Sequence, residues 1–485
     1  MIMRTSSAES QPSEAINIGL RGAPLCVSEM NLNYELINQC RTPKGGWTKR
    51  QLEALRVVDP FVDDICLTTC FSQPKPPTNE QPREWIVKRR SFNSLALGLM
   101  SAGSAPAFSQ TNDWGASAGY PTGWGSPQRM SWHKHTRVGN YSGGFEAMLP
   151  NNKIQAGAES PLIEATRDIR YQWGLSSRGA ADYMAGWPVT GLLIARRGKV
   201  WFERYGYERG AEMRMNGWSM SKGVTSLLLG IALDQGRVKS LEDRADIYVP
   251  SLKGTLHGET TLRNLMNMSS GAAVVHAEGN QTIYPDGLIR KDSSIESTVK
   301  LWNARQEPQG ARFNYNELCP LTIGMVLRAA TGTNLSEFAQ EALWKPMGAE
   351  GNATWLTDSH KNEFNCVGFA ARLRDWARLG QLVVQRGYMN GKQIVSQSWM
   401  ESYSRWEPNE AQVRPGGMPN NGGGYKAFLW HAKPDGSRLV FSGAEAQQVR
   451  VHIPTETVLV QTAVDDAGPW RKELDALFEA AINAS

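Results

Sequence analysis

Two groups of β-rich segments bracket a long helical stretch, and this order is the strongest constraint on the fold. Residues 189–196 and 199–205 are β-rich runs around Arg197-Gly198, which is a hairpin signal. Helical patterns then dominate residues 216–350. Further β-rich runs follow at 427–431, 438–441, 448–453 and 457–462. The order predicts an α+β fold: one antiparallel sheet built from both parts, flanked by helices, with a helical subdomain inserted at about 216–350.

Composition excludes several classes of protein. The chain has 485 residues, 41% of them hydrophobic, which is enough for a substantial core. A net charge of +5, with no basic run longer than residues 88–90, gives no nucleic-acid footprint. Four of the six cysteines precede residue 87, so the main part of the chain has no disulfide framework.

The first 109 residues differ from the rest. Residues 1–86 show no sizeable core and are interpreted as an extension outside the folded domain. Residues 87–109 have a basic start with Arg-Arg-x-Phe, a short apolar stretch and an Ala-x-Ala ending, the layout of a twin-arginine secretory signal. That apolar stretch is too short for stable membrane insertion.

A signal at residue 87 predicts that translation starts at or near Val87 and that the product is periplasmic or secreted. The alternative is a linker inside a two-part cytoplasmic protein. N-terminal sequencing of the exported protein distinguishes the two, because peptides from before residue 87 are expected only from the second.

Residues 110–160 are rich in Gly, Ser, Trp and Asn and are expected to form an arm over the main domain. His133 and His135 lie in this segment, but the further ligands that a metallo-hydrolase needs are absent downstream. A surface pair is the better interpretation, so no metal or cofactor is expected. Trp218 and Trp430 could line a cleft, although core packing is the default for such residues.

Ser219 and Lys222 stand one helical turn apart where a buried helix begins. The two residues share a helix face, so the Lys222 amine can reach Ser219, and the amides of the first turn favour developing negative charge. The same Ser-x-x-Lys spacing occurs at Ser72/Lys75, Ser131/Lys134 and Ser297/Lys300. Only Ser219 is followed by the pattern of a buried helix, which ends at Asp234-Gln235-Gly236.

Several motifs then occur in a known order: GKVWFERYG at 198–206, GWSMSK at 217–222, TLRNLMNMSSG at 261–271, FNY at 313–315 and DWAR at 375–378. Together they resemble the serine β-lactamase-related hydrolases, and most closely the branch of 6-aminohexanoate-dimer hydrolases and esterases. The resemblance covers roughly residues 120–482 and implies that 161–485 form a β-lactamase-like domain, with the active site between sheet and helical subdomain.

The resemblance also implies roles for particular residues. Ser219 would be the acylated nucleophile, Lys222 would accept its proton with a pKa lowered by burial, and Tyr315 would relay a proton to the leaving group. The oxyanion hole would combine the Ser219 N–H with one from the strand segment Ser442, Gly443, Ala444 and Glu445.

Two departures from the family pattern affect the expected substrate. Many relatives have asparagine two positions after the tyrosine, where this chain has Glu317; Asn316 could substitute if the turn differs. No Lys-Thr-Gly motif is present, which disfavours substrates with the carboxylate of a penicillin or a terminal D-alanine. Glu445 would suit a neutral ester or a cationic amine, or it could be a solvated loop residue.

The sequence therefore predicts a serine hydrolase for a small-molecule ester or amide. One alternative is a β-lactamase or D-alanyl peptidase. Another, from a different class, is a non-catalytic ligand-binding relative. The sequence leaves the substrate and the oligomeric state open.

Overall fold

The computed structural model describes residues 139–273, 294–414, 423–464 and 468–484. The predicted extension, the signal-like segment and His133 with His135 lie outside these residues. The segment predicted as an arm is described only from residue 139. No helix in the described parts combines the length and the apolar character needed to cross a membrane.

The strands form one large sheet and one smaller sheet, with two short two-stranded pairs beside them. The large sheet has eight strands in the order β12-β13-β14-β15-β16-β5-β6-β2, and the smaller one has the order β1-β8-β9-β7. Every pairing is antiparallel except that of β2 with β6. The strands are β1 Asn151–Ile154, β2 Ile163–Glu164, β3 Arg170–Trp173, β4 Ser176–Gly179, β5 Val189–Arg196, β6 Lys199–Tyr205, β7 Met215–Asn216, β8 Ala353–Leu356, β9 Phe369–Ala371, β10 Tyr388–Met389, β11 Lys392–Gln393, β12 Tyr425–Lys426, β13 Leu429–His431, β14 Arg438–Gly443, β15 Gln447–His452 and β16 Thr457–Ala463.

Most of the helices lie between β7 and β12 in the chain. The α-helices are α1 Phe145–Met148, α2 Ala180–Gly186, α3 Ser221–Asp234, α4 Ala245–Tyr248, α5 Leu262–Met266, α6 Ile295–Leu301, α7 Leu318–Thr331, α8 Leu335–Ala339, α9 Leu373–Val384, α10 Gln397–Ser402 and α11 Trp470–Asn483. The order confirms the predicted α+β class, with one sheet built from two distant parts of the chain.

Strand β5 lies at the join between those parts, where it pairs with β16 on one side and β6 on the other. Successive side chains of a strand point to opposite faces, so β5 supplies two cores. Leu193 packs into the main core beneath α9, and Leu192 packs into a second core beneath α11. A strand covered on both faces must be apolar throughout, which explains the unbroken hydrophobic run that predicted it. The predicted turn at Arg197-Gly198 has positive φ at both residues.

Helix α3 is buried along nearly its whole length and packs directly on β14. Gly223 makes this contact possible, because a Cβ there would lie 2.1 Å from a ring carbon of Phe441. At the end of β14, a Cβ on Gly443 would lie 2.2 Å from the carbonyl oxygen of Gly217. The two glycines therefore hold the start of α3 against the end of β14.

This close approach predicts that Gly223→Ala destabilises the fold. Overpacking of this kind costs about 1–3 kcal/mol, and we expect it to lower the denaturant midpoint. Gly210→Ala is the control, because a Cβ at Gly210 meets nothing within 4 Å and should change stability by less than about 0.5 kcal/mol. An unchanged midpoint for Gly223→Ala would contradict the packing described.

Candidate active site

Ser219 lies on a tight turn that joins β7 to α3. Its neighbour Trp218 has a φ of +48°, which is strained for a bulky residue, at a cost of about 1–3 kcal/mol. Two contacts fix the turn: the Ser221 hydroxyl donates to the Trp218 carbonyl at 2.6 Å and accepts from the Phe369 N–H at 3.0 Å. A 3-10 turn at Trp218–Met220 then leads into α3. Sequence reasoning missed the role of Ser221, because that role depends on β9, almost 150 residues away.

Lys222 lies on the first turn of α3 with its amine enclosed by oxygen atoms. Its Nζ is 3.0 Å from Ser219 Oγ, 2.9 Å from the Cys366 carbonyl oxygen and 2.6 Å from Glu317 Oε2. The Lys222 side chain is 1% exposed and that of Glu317 is 0% exposed. The amine donates hydrogen bonds to the Cys366 carbonyl oxygen and to Ser219 Oγ, and it forms an ion pair with the Glu317 carboxylate.

Tyr315 completes this group from the turn before α7. Its hydroxyl hydrogen-bonds with both Ser219 and Lys222, and the Lys222 amine lies 4.9 Å from the centre of its ring. Burial raises the pKa of Tyr315, and the positive charge of Lys222 partly opposes that rise. The structure thus brings together the three residues that the sequence singled out.

The expectation of a lowered pKa for Lys222 is wrong. Burial alone would lower it, but the negative charge of Glu317, with a smaller contribution from Tyr315, outweighs burial and raises the pKa of Lys222 above its ordinary value. The contact with Glu317 therefore favours the ammonium form of the amine. The expectation failed because the sequence does not show which carboxylate lies beside a lysine 95 residues earlier in the chain.

Asn316 and Glu317 have separate roles in this geometry. The Asn316 side chain turns back onto its own backbone, where Oδ1 accepts from the N–H groups of Leu318 and Cys319 at 3.1 Å each. It therefore caps the start of α7. Of Asn316 and Glu317, only Glu317 pairs with Lys222.

The end of β14 forms one wall of a cleft of about 660 Å³ that opens over Ser219. Ser442, Gly443 and Ala444 line the cleft, and Ser442 Oγ accepts a hydrogen bond of 2.7 Å from Gln448. Glu445 is completely buried, with a φ of +57°, and is not among the lining residues. The suggestion that Glu445 is a solvated loop residue is therefore wrong, and its suggested contact with a cationic substrate stays a prediction.

Trp218 and Trp430, the two tryptophans considered for the cleft, differ in their surroundings. Trp218 is 5% exposed and packs edge-on against Phe145, with 5.6 Å between ring centres. Trp430 lines the cleft and stacks on Tyr315, with 5.8 Å between ring centres. Trp430 therefore packs against the tyrosine ring and offers an aromatic surface to a ligand.

Among the other Ser-x-x-Lys patterns, only Ser297/Lys300 falls in the described residues. Ser297 belongs to the capping turn at the start of α6, and Lys300 pairs with Glu296 on the surface at 2.6 Å. This pair has none of the enclosure found at Ser219.

A family model for "Beta-lactamase" matches residues 177–430, just over half of the chain. The chain belongs to the beta-lactamase family. The matched region holds Ser219, Lys222 and Tyr315, and it stops before the cleft wall at the end of β14.

Particular members of the beta-lactamase family are similar to this chain. The 6-aminohexanoate-dimer hydrolase of Paenarthrobacter ureafaciens is 23% identical over 284 residues, covering 56% of this chain and 71% of the relative. A Bacillus anthracis structure provisionally named a 6-aminohexanoate-dimer hydrolase has a TM-score of 0.65 at 20% identity, covering 75% of this chain and 96% of the other. EstCE1, a hydrolase with promiscuous acyltransferase activity, has a TM-score of 0.52 at 14% identity, covering 62% and 96%. At these identities the structural matches establish the fold alone.

The buried ion pair predicts strong coupling between Lys222 and Glu317. Lys222→Met leaves a buried carboxylate without its cation, which typically costs about 3–5 kcal/mol. The double variant Lys222→Met/Glu317→Gln removes both charges and should be less destabilised than the sum of the two single variants. Denaturant unfolding of the four proteins measures the coupling, and strictly additive effects would contradict a direct interaction.

Proposed function

We propose that this protein is a serine hydrolase that cleaves an ester or amide through an acyl-enzyme on Ser219. The observation that carries the proposal is the 3.0 Å contact between Ser219 Oγ and Lys222 Nζ at the floor of an open cleft. A serine hydroxyl attacks a carbonyl only when a nearby group accepts its proton. In this site Lys222 and Tyr315 both touch that hydroxyl.

The proposed reaction starts with attack of Ser219 Oγ on the carbonyl carbon while its proton passes to Lys222. The carbonyl oxygen becomes an oxyanion, which the N–H of Ser219 and one from Gly443 or Ala444 would stabilise. When the bond to the leaving group breaks, Tyr315 gives it a proton and regains one from Lys222. Water then releases the acyl group from Ser219 by the same steps in reverse.

The missing lysine of the third motif disfavours a substrate with a carboxylate beside the scissile bond, while Arg438, Arg450 and Arg471 also line the cleft. The third motif of lactamases carries a lysine, but the strand here reads Val440-Phe441-Ser442-Gly443. Trp430 and Tyr315 present aromatic surfaces close to Ser219. The similarity to a 6-aminohexanoate-dimer hydrolase and to a hydrolase with promiscuous acyltransferase activity supports acyl transfer as the chemistry.

Replacement of Ser219 by alanine tests the nucleophile. We expect Ser219→Ala to lose esterase activity and labelling by a fluorophosphonate, because only an activated serine reacts readily with such a probe. The matched control is Ser297→Ala, which removes the serine of the exposed Ser-x-x-Lys pair. Full activity of Ser219→Ala would refute the proposal. Absence of labelling in the wild type would favour a non-catalytic relative.

A substrate screen separates the main proposal from a β-lactamase or D-alanyl peptidase. We expect hydrolysis of short-chain esters or linear amides and little turnover of a chromogenic cephalosporin, because the carboxylate-binding lysine is missing. Mass spectrometry after incubation with penicillin measures acylation directly. A stoichiometric penicilloyl adduct on Ser219, with no ester turnover, would favour the alternative.

A further inference from the structure

Glu317 is buried at the inner side of the site, out of reach of the cleft. Its carboxylate lies 2.6 Å from Lys222 Nζ, and it is not among the residues that line the cleft. Several titratable groups surround this carboxylate. They are Lys222 on α3, Tyr315 in the turn before α7, Cys319 on α7, Cys366 in the loop before β9 and Tyr425 on β12. Of these, Lys222 is the only cation.

This geometry poses a problem for the proposed chemistry. Lys222 must have a free electron pair to take the proton of Ser219, yet the contact with Glu317 favours its ammonium form. An ammonium ion has no acceptor site. Lys222 must therefore release a proton before or during the attack, and the Cys366 carbonyl oxygen, its other close inward neighbour at 2.9 Å, is not basic enough to accept one.

We propose that Glu317 takes up this proton. Lys222 and Glu317 then act together as one base, which holds one proton before the attack and two protons after it. Glu317 does not touch the substrate; it acts through Lys222 and is therefore a positioning residue. The inference rests on the function proposed above, in which Ser219 is acylated.

The proton movements balance at every step. A proton moves from Lys222 Nζ to Glu317 Oε2, leaving a neutral amine beside a neutral acid. Lys222 then takes the proton of Ser219 as Oγ bonds to the acyl carbon. At that point the pair holds two protons. One leaves through Tyr315 to the departing group as its bond to the acyl carbon breaks, and the pair returns to one shared proton.

A glutamate suits this role better than the asparagine found in many relatives. An amide side chain can hydrogen-bond to the lysine, but it does not accept a proton near neutral pH. Burial also favours proton transfer within the pair, because the transfer converts two buried ions into two neutral groups. The replacement of asparagine by glutamate therefore changes the number of protons that the site can store.

The test is the pH dependence of fluorophosphonate labelling of Ser219, which needs no knowledge of the substrate. Attack of Ser219 on phosphorus expels fluoride and transfers the serine proton to the base. In the wild type, labelling should fall at acid pH only when the pair binds a second proton. In Glu317→Gln, Lys222 alone is the base and must be neutral. The acid limb of the pH profile should therefore move to higher pH by about one unit or more. At a fixed pH on that limb, labelling becomes about tenfold slower for each unit of the shift.

Two results would overturn the proposal. An acid limb that stays in place while labelling falls equally at every pH would give Glu317 a purely structural role. A limb that moves to lower pH would make the Tyr315 phenolate the base, because loss of the nearby negative charge lowers the pKa of Tyr315.

Three further variants keep the test decisive. Glu317→Asp keeps a carboxylate and should keep the acid limb of the wild type, even if labelling is slower. Glu317→Asn repeats the neutral substitution if Glu317→Gln fails to fold. Glu363→Gln is the matched control, because Glu363 is also completely buried but accepts from the backbone N–H groups of Leu335 and Ser336. It should leave the limb unchanged.

Lack of wild-type labelling would count against the proposed function itself, whereas a labelled wild type with an unmoved limb would count against the role of Glu317 alone.

Discussion

The buried ion pair between Lys222 and Glu317 is the interaction on which the site depends. A lone ammonium ion on a helix as buried as α3 would be strongly disfavoured. With a carboxylate at 2.6 Å and a carbonyl oxygen at 2.9 Å, the charge is compensated and the amine is held in one position. The same contacts bind three separate segments together, because Lys222 lies on α3, Glu317 precedes α7 and Cys366 precedes β9. The contacts that compensate the charge of Lys222 are thus the same contacts that assemble the site.

Close backbone packing supplies the other half of the geometry. Gly223 lets α3 approach the ring of Phe441, and Gly443 lets the end of β14 approach the carbonyl of Gly217. Any larger side chain at these positions would push the strand away from the turn that carries Ser219. The strain at Trp218 is tolerated because β9 and Ser221 hold that turn from the other side. The turn that carries Ser219 is therefore held between the end of β14 in the large sheet and β9 in the smaller sheet.

The sequence predicted those features that depend on neighbours in the chain. The hairpin at Arg197-Gly198, the buried helix after Ser219 and its end at Gly236 each follow from local patterns, and all are present. The grouping of Ser219, Lys222 and Tyr315 followed from family resemblance, which carries three-dimensional information that spacing lacks. The charge state of Lys222 and the burial of Glu445 depend on contacts between distant segments. No periodicity encodes them, and both expectations failed for that reason.

The two departures from the family pattern act together on the charge of the site. In lactamases the lysine of the third motif adds a positive charge that attracts a substrate carboxylate. Here Ser442 and Gly443 stand on that strand without such a lysine, and the remaining cation beside the nucleophile, Lys222, is neutralised by Glu317. The Lys222–Glu317 pair beside Ser219 is thus internally compensated, and Trp430 and Tyr315 make one side of the cleft aromatic. A substrate carboxylate in this cleft would therefore find its cation among the lining residues Arg438, Arg450 and Arg471 rather than at Lys222, whose charge Glu317 already compensates.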